Sequence, residues 1–366
     1  VSIIRGISRR RFAAAAVGLG MAGVAGLSGC GSSDDGASAD SKTVTLVSHD
    51  SWAVSKSVLA AFEKQSGYKV RVLKDGDAGQ AVNKAILTKD NPQGDVFFGV
   101  DNTLLSRALD NGLFQSYTAK GLSAVGAQFR LDPDKNRVTP IDYGDICVNY
   151  DKAYFTEHHL APPTSFADLV KPAYKNLLVT ENASTSSPGL GFLLGSAAAY
   201  GDDGWQGYWK KLKANGVKVV DGWEQAYDQE FSGSAGGKKA GGDRPLVVSY
   251  ASSPPAEVIY ADPQPKTAPT GVAEGTCFRQ VEFAGLLSNA SNTAGGKALI
   301  DFLLTKKFQE DMPLNMFVYP VVSGATVPAE FTKYGPAAKD PETMAPQKIA
   351  DNRDQWVKTW TSLVVK

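Results

Sequence analysis

Four hydroxyl side chains precede a proline in Ser184-Thr185-Ser186-Ser187-Pro188-Gly189-Leu190-Gly191-Phe192, downstream of the apolar run Leu177-Leu178-Val179. Pro188 suits the first turn of a helix, so the stretch reads as strand, tight loop and helix N-terminus. Such a terminus offers unpaired backbone N–H groups and a positive dipole end, and the hydroxyls add donors, which together can hold an anion. An ordinary N-cap with flexible serines would have the same residue types.

Other catalytic chemistry finds little support. No Gly-x-Gly-x-x-Gly or Walker-type loop follows a strand, so dinucleotide and nucleoside-triphosphate binding are not indicated. The histidines His49, His158 and His159 have no metal-ligand spacing, and His158-His159 before Pro162-Pro163 reads as an exposed surface pair. Gly233-Ser234-Ala235-Gly236 is one residue away from a hydrolase nucleophile elbow.

The elements that must position these residues follow from periodicity. Residues 43–48 form a β-rich first strand ending at His49. Val54, Val58, Leu59 and Phe62 recur at helical spacing before Gly67, a helix-ending glycine. Residues 68–73 make a second strand that closes into the loop with Asp75 and Gly76. A helix over 81–87, a strand over 95–100 and the turn Asp101-Asn102 follow. Alternating strands and helices predict an open parallel α/β sheet, with ligands beyond the carboxyl ends of its strands. His49, Asp75 and Asp101 fall at those ends.

The pattern then repeats. Residues 141–150 read as a strand leaving a first lobe. A second lobe has strands at 177–180, 217–220 and 245–250, with a helix from Trp223; residues 233–243 read as a solvated glycine-lysine loop. Residues 277–282 resemble a returning strand. If the two crossing segments run side by side at a hinge, Cys147 and Cys277 become neighbours; otherwise they are two separate buried thiols. Trp205, Tyr208 and Trp209 at helical spacing, with no polar partner, read as core. In the tail, residues 294–305 and 345–364 are amphipathic helices, and residues 315–320 bring aromatics where no strand is needed.

The first residues predict export. Arg5 and Arg9-Arg10-Arg11 lead a short apolar stretch that ends in Leu27-Ser28-Gly29-Cys30. Ser8-Arg9-Arg10-Arg11-Phe12 resembles a twin-arginine signal. Leu27-Ser28-Gly29-Cys30 resembles a lipobox, which implies that Cys30 is lipidated and anchors the mature chain to the membrane. Residues 1–29 are then an export signal and 30–42 a lipidated cysteine with a flexible tether. The 366 residues carry 38 basic and 38 acidic side chains, and removal of the signal leaves a net charge of −4. A mildly acidic chain gives no electrostatic case for nucleic acid. Some 320 remaining residues suggest two lobes, 43–145 plus 280–366 and 146–279.

From residue 43 onward the sequence resembles the substrate-binding components of bacterial thiamine ABC importers. The resemblance rests on matches in order: His49-Asp50-Ser51-Trp52, Asp75-Gly76, Gly99-Val100-Asp101-Asn102, Asp142-Tyr143-Gly144, the hydroxyl loop, Gly222-Trp223-Glu224-Gln225-Ala226-Tyr227, Ser249-Tyr250 and Tyr319-Pro320-Val321. It implies an α/β, bilobal type II periplasmic-binding-protein fold, with two parallel-sheet lobes joined by crossing hinge strands, no catalytic activity and no cofactor. It also implies a monomeric extracytoplasmic lipoprotein that captures thiamine, thiamine monophosphate or thiamine diphosphate and delivers it to the importer permease.

By the same resemblance, Thr185, Ser186, Ser187 and Gly189 would take a phosphate or face the hydroxyethyl group of free thiamine. Trp223, Tyr250 and Phe317 would line the cleft with Tyr227 behind Trp223, Asp75 and Gly76 would meet the aminopyrimidine, and His49, Asp101 and Tyr143 complete the candidate site. The chemistry is coherent, because electron-rich ring faces attract a thiazolium cation and a carboxylate can accept from an exocyclic amine. This chain departs from the family in Phe317, where relatives have tryptophan, in Ala256 for a second tyrosine, and in His49 for a first-strand tyrosine. Two alternatives remain. One is the same class of protein for iron, polyamine or phosphonate, iron being opposed by the lack of adjacent tyrosines. The other is an enzyme like thiaminase I with Cys147 as nucleophile beside Asp142 and Asp145, which requires a free thiol.

Overall fold

A computed structural model describes residues 42–366; the expected export signal, Cys30 and the expected tether up to residue 41 lie outside the described residues. In chain order the first part holds β1 (Thr43–Ser48), α1 (Lys56–Ser66), β2 (Lys69–Lys74), α2 (Ala78–Leu87), β3 (Val96–Asp101), α3 (Leu105–Asp110), β4 (Thr139–Asp151) and α4 (Lys152–Glu157). Then come β5 (Leu178–Glu181), α5 (Ser187–Ala214), β6 (Lys218–Val220), α6 (Trp223–Gln225), α7 (Ala235–Ala240), β7 (Leu246–Tyr250), α8 (Ala256–Ile259) and β8 (Thr270–Leu286). The tail holds α9 (Thr293–Leu303), α10 (Lys306–Gln309), α11 (Met312–Asn315), β9 (Tyr319–Pro320), α12 (Ala329–Tyr334) and α13 (Pro346–Trp360).

The strands join in one mixed sheet of order β2-β1-β3-β8-β4-β7-β5-β6, with β9 on β4. Each end is a parallel triplet produced by strand–helix–strand units: β2-β1-β3 on one side, and β7-β5-β6 on the other. The middle is antiparallel. β8 pairs with β3 and with β4, and β4 pairs with β7, so the two long strands run through both halves of the sheet. The parallel sheets expected from sequence are therefore present at the flanks, and the crossing strands knit them into a continuous sheet.

Apolar runs buried on both faces explain the flanking strands. Val44, Leu46 and Val47 of β1 and Val96, Phe97, Phe98 and Val100 of β3 are all buried, as parallel strands covered by helices require. Trp205, Tyr208 and Trp209 are buried as expected, although Trp209 does have a polar partner, donating through Nε1 to Ser196 Oγ at 2.9 Å. Trp205 meets Trp356, and Trp209 meets Trp360 edge-on at 5.4 Å, so α13 packs against α5 while also touching α3.

Three local expectations change. Within the expected loop 233–243, Ser234 Oγ accepts from Gly237 N–H and caps the six-residue α7, which ends on Gly241 in the left-handed region. Residues 319–320, expected to be outside any strand, pair as β9 with Tyr143 and Asp142 of β4. The returning strand is also far longer than residues 277–282, because β8 starts at Thr270. His158 and His159 are exposed, as expected.

Cys147 of β4 and Cys277 of β8 form a disulfide between the two crossing strands. Cys147 is thus no free thiol, and the cysteine-nucleophile reading loses its nucleophile.

Candidate functional site

The carboxyl ends of β1, β2 and β7 and the start of α6 converge on a cleft that encloses about 580 Å³, part of it open to solvent. Each wall has a separate origin. β1 ends and delivers His49; the β2–α2 loop delivers Asp77; β7 ends on Tyr250; α6 opens with Trp223; and the turn between α11 and β9 supplies Phe317. Gln280 and Glu282, two apart on β8 and so on one face of the strand, form the floor with Ser187 and Pro188 at the start of α5.

Two glycines make this geometry possible. Gly99 in β3 has φ +107° at a bulge, and a Cβ there would lie 2.4 Å from the His49 ring. A Cβ on Gly144 would lie 2.9 Å from the ring of Tyr250. Phe317 shows the opposite solution, a phenylalanine at φ +57°. Its carbonyl accepts a hydrogen bond from Ser252 Oγ, and its ring meets Tyr260 edge-on at 5.8 Å and lies parallel to Phe331. A β-carbon in that region costs on the order of 1–3 kcal/mol and persists because neighbours hold it.

Trp223 is held from behind. Its Nε1 donates to Ser249 Oγ at 2.9 Å, and its ring stacks on Tyr227 at 5.0 Å with an interplanar angle of 15°. Tyr227 is buried one turn further on and donates to Glu257 Oε1 at 3.1 Å. A π-helical turn over Ala226–Glu230 continues the helix.

The electrostatics are acidic, and the carboxyl groups are buried. Asp142 is the register partner of Glu282, and His49 Nε2 lies 3.2 Å from Glu282 Oε1. Burial, followed by the neighbouring Asp101 charge, pushes Glu282 up to about 8. Burial and the adjoining Glu282 raise Asp142 well above the carboxylate range. Burial also raises Asp77 and Asp101 and lowers His49, so the imidazole favours its neutral form. Among the described residues, no lysine or arginine lines the cleft.

His49, Ser187, Trp223, Tyr250 and Phe317, all candidates from the sequence, line the cleft together. Tyr227 backs Trp223. Asp101 lies one layer down, accepting from Gln280 Nε2 and Thr103 Oγ1, each at 2.6 Å. Other candidates sit elsewhere for definite reasons. Asp75 is ion-paired with Lys84 and is not on the cleft wall. Gly76 turns the loop at φ +91°, and its N–H donates to Asp50 Oδ1 at 3.1 Å. Tyr143 points to the other face of β4 from Asp142, where it stacks on Phe129 and Tyr319 beneath Arg279. Thr185 Oγ1 donates to the Asp221 carbonyl at 2.7 Å and bridges two loops. Gly189 is a packing residue, since a Cβ there would lie 2.5 Å from the Glu181 carbonyl oxygen. Ser186 is buried beside Asp77.

Sequence reasoning missed Asp77, Gln280 and Glu282. The signal was present in polar side chains two apart within a strand otherwise buried, and in the aspartate immediately ahead of a helix.

A two-halved α/β sheet crossed by two long strands, with an aromatic and acidic cleft at the strand ends, is the architecture of a type II periplasmic binding protein. Residues 91–341 match the model of the family described as bacterial extracellular solute-binding protein, and the chain belongs to that family. It is 30% identical over 326 residues to the thiamine-binding periplasmic protein of Salmonella typhimurium, covering 88% of this chain and 93% of that one. Against the protein of the same description from Escherichia coli the identity is 29% over 325 residues, covering 88% and 93%. A solved structure described as a periplasmic thiamin binding protein superposes with a TM-score of 0.76 at 27% identity, covering 88% of this chain and 96% of that one. The protein is an exported solute-binding component of an ABC importer and not an enzyme.

Proposed function

We propose that the solute is thiamine, bound in the cleft between lobes formed by residues 43–145 plus 280–366 and by 146–279. The observation that carries this reading is a cleft lined by Trp223, Tyr250 and Phe317, with Asp77 and Glu282 beside them and, among the described residues, no basic side chain on its wall. Ring faces attract a desolvated organic cation by about 0.5–2 kcal/mol each. Glu282 and Asp77 supply acceptors for an exocyclic amine or a hydroxyl. The names of the relatives support the same ligand. The lipobox-like Leu27-Ser28-Gly29-Cys30 supports a lipid tether at Cys30 to the outer face of the membrane, where the protein meets the permease.

A polyamine is the second reading, favoured by four buried carboxyl groups, Asp77, Asp101, Asp142 and Glu282, in and around the cleft. Iron has less support. Among the described residues, no group of three or more His, Cys, Asp or Glu side chains is placed to hold a metal ion.

Calorimetric titration of the purified protein with thiamine and with spermidine, following tryptophan fluorescence, tests the reading. Submicromolar thiamine binding with tryptophan quenching is expected. Binding of spermidine alone, or of neither, overturns it.

A further inference from the structure

The first turn of α2 meets two segments from far along the chain. Asp77 Oδ1 accepts from Ala78 N–H at 2.6 Å and caps the helix. Its Oδ2 accepts from the backbone N–H of Trp223, 146 residues away in sequence, at 2.8 Å. Gln80 N–H, one of the first-turn donors that an α-helix leaves without an internal partner, donates to the Thr185 carbonyl at 3.2 Å. The opposing wall is one piece, because Thr185 Oγ1 donates to the Asp221 carbonyl and Asn182 N–H to the Val220 carbonyl, each at 2.7 Å.

The two walls touch backbone to backbone. A Cβ on Gly79 would lie 2.7 Å from the Thr185 carbonyl oxygen, and one on Gly222 would lie 2.9 Å from Asp77 Oδ2. Gly79 is the second residue of α2, where alanine would serve the helix better. What excludes a side chain there is the approach of Thr185. Asp77, Gly79 and Gln80 fall within residues 43–145, and Thr185, Gly222 and Trp223 within 146–279, so every one of these contacts runs from one proposed lobe to the other.

We infer that the first turn of α2 is the closure latch of the cleft, with Asp77 as the positioning residue that holds Trp223, and with it the opposite lobe, over the bound solute. This rests on the two-lobe reading above. A contact made only when the lobes are together stabilises the closed form and contributes nothing to the first encounter. It therefore governs how fast the solute leaves and not how fast it arrives. Asp77 also lines the cleft, whereas Gly79 does not. A wedge at Gly79 thus loads the latch while leaving every cleft-lining side chain in place.

The test is stopped-flow tryptophan fluorescence with thiamine on the wild type, Gly79→Ala and Asp77→Ser, with thermal melting as the check on folding. Gly79→Ala favours the helix and puts a methyl group into the seam. Asp77→Ser keeps a capping oxygen for α2 but is one bond too short for Trp223. Each variant is expected to release thiamine about tenfold faster or more, with association within about twofold of wild type. A release rate unchanged in either variant, or a loss of affinity carried by slower association, overturns the inference and leaves the thiamine reading intact. If Asp77→Ser does not fold, Gly79→Ala decides. A wild type that binds no thiamine overturns that reading, and the latch is then judged in the solute-free protein from exchange of the Trp223 amide, read by NMR with isotope-labelled tryptophan. Exchange about threefold slower or more in wild type than in the variants upholds the latch, and equal exchange overturns it.

Discussion

Asp142 of β4 and Glu282 of β8 stand directly opposite one another in the antiparallel ladder, and only 2% and 8% of their surfaces are exposed. Like charges facing across a ladder are destabilising, and burial adds to the cost. Burial and the facing carboxylate raise Asp142, and Glu282, pushed up to about 8, holds its proton at neutral pH. An arriving cation favours the ionised carboxylate, so capture of a cationic ligand is coupled to loss of a proton. Affinity for thiamine should rise as pH goes from 6 towards 8 and level off above that. Calorimetry in buffers of different ionisation enthalpy at pH 7 should register net proton release, reduced in Glu282→Gln. Zero release would contradict the coupling.

The same groups set the stability of the empty protein. A folded pKa raised above the unfolded one gives stability that is present in full below about 4.5 and lost as pH rises through about 8 for Glu282. Urea midpoints should therefore fall between pH 5 and 8, with a shallower slope in Glu282→Gln. Glu181, fully buried at the end of β5, is also raised well above the carboxylate range, and among the described residues neither carboxyl oxygen has a hydrogen-bond partner in another residue. Glu181→Leu is expected to raise the unfolding free energy at pH 8 by about 1–3 kcal/mol. A loss of stability there would show that the carboxyl group is needed.

Trp223 should act through its ring face. Trp223→Ala is expected to weaken thiamine binding by roughly 2- to 30-fold, the equivalent of about 0.5–2 kcal/mol, and to abolish most of the fluorescence quenching. Phe317→Trp should tighten binding several-fold, because indole is the stronger cation–π partner. The two titrations can be run side by side, and a weaker Phe317→Trp would mean that the larger ring does not fit the turn.

Removing the disulfide should cost stability without altering which ligand binds. Cys147→Ser with Cys277→Ser, or treatment with reductant, is expected to lower the unfolding free energy by about 2–5 kcal/mol. A thiol assay on the mature, unreduced protein should find no reactive Cys147 or Cys277.

How much of this was legible beforehand depended on phase and path. His49, Trp223 and Tyr250 could be placed because each follows an apolar strand or opens a helix, where side chains emerge at the sheet edge. Asp75 and Asp77 share one loop, and the left-handed turn at Gly76 decides which of them reaches the cleft. No composition rule reveals that. Tyr143 and Asp142 differ by one residue of strand phase, and β4 is buried on both faces, so there was no polar alternation to set the phase. α7 was hidden because Gly236 and Gly237 weaken helix propensity, leaving the Ser234 cap as the main sign of it. The mixed centre of the sheet was hidden because the pairing of β3 with β8 joins residues nearly two hundred positions apart, beyond any local pattern.

That last pairing also dictates an order of assembly. β1, β2 and β3 can associate soon after they emerge, since their contacts are local, but the inner edge of β3 has no partner until β8 follows the whole intervening half of the chain. β4 waits for the same strand on one side. An exposed edge of Val96, Phe97 and Phe98 is an invitation to pair with another chain, and late, non-local closure makes folding slow. The unfinished molecule is thus a nascent chain that needs shielding, and β8 is the strand whose arrival ends its exposure to aggregation.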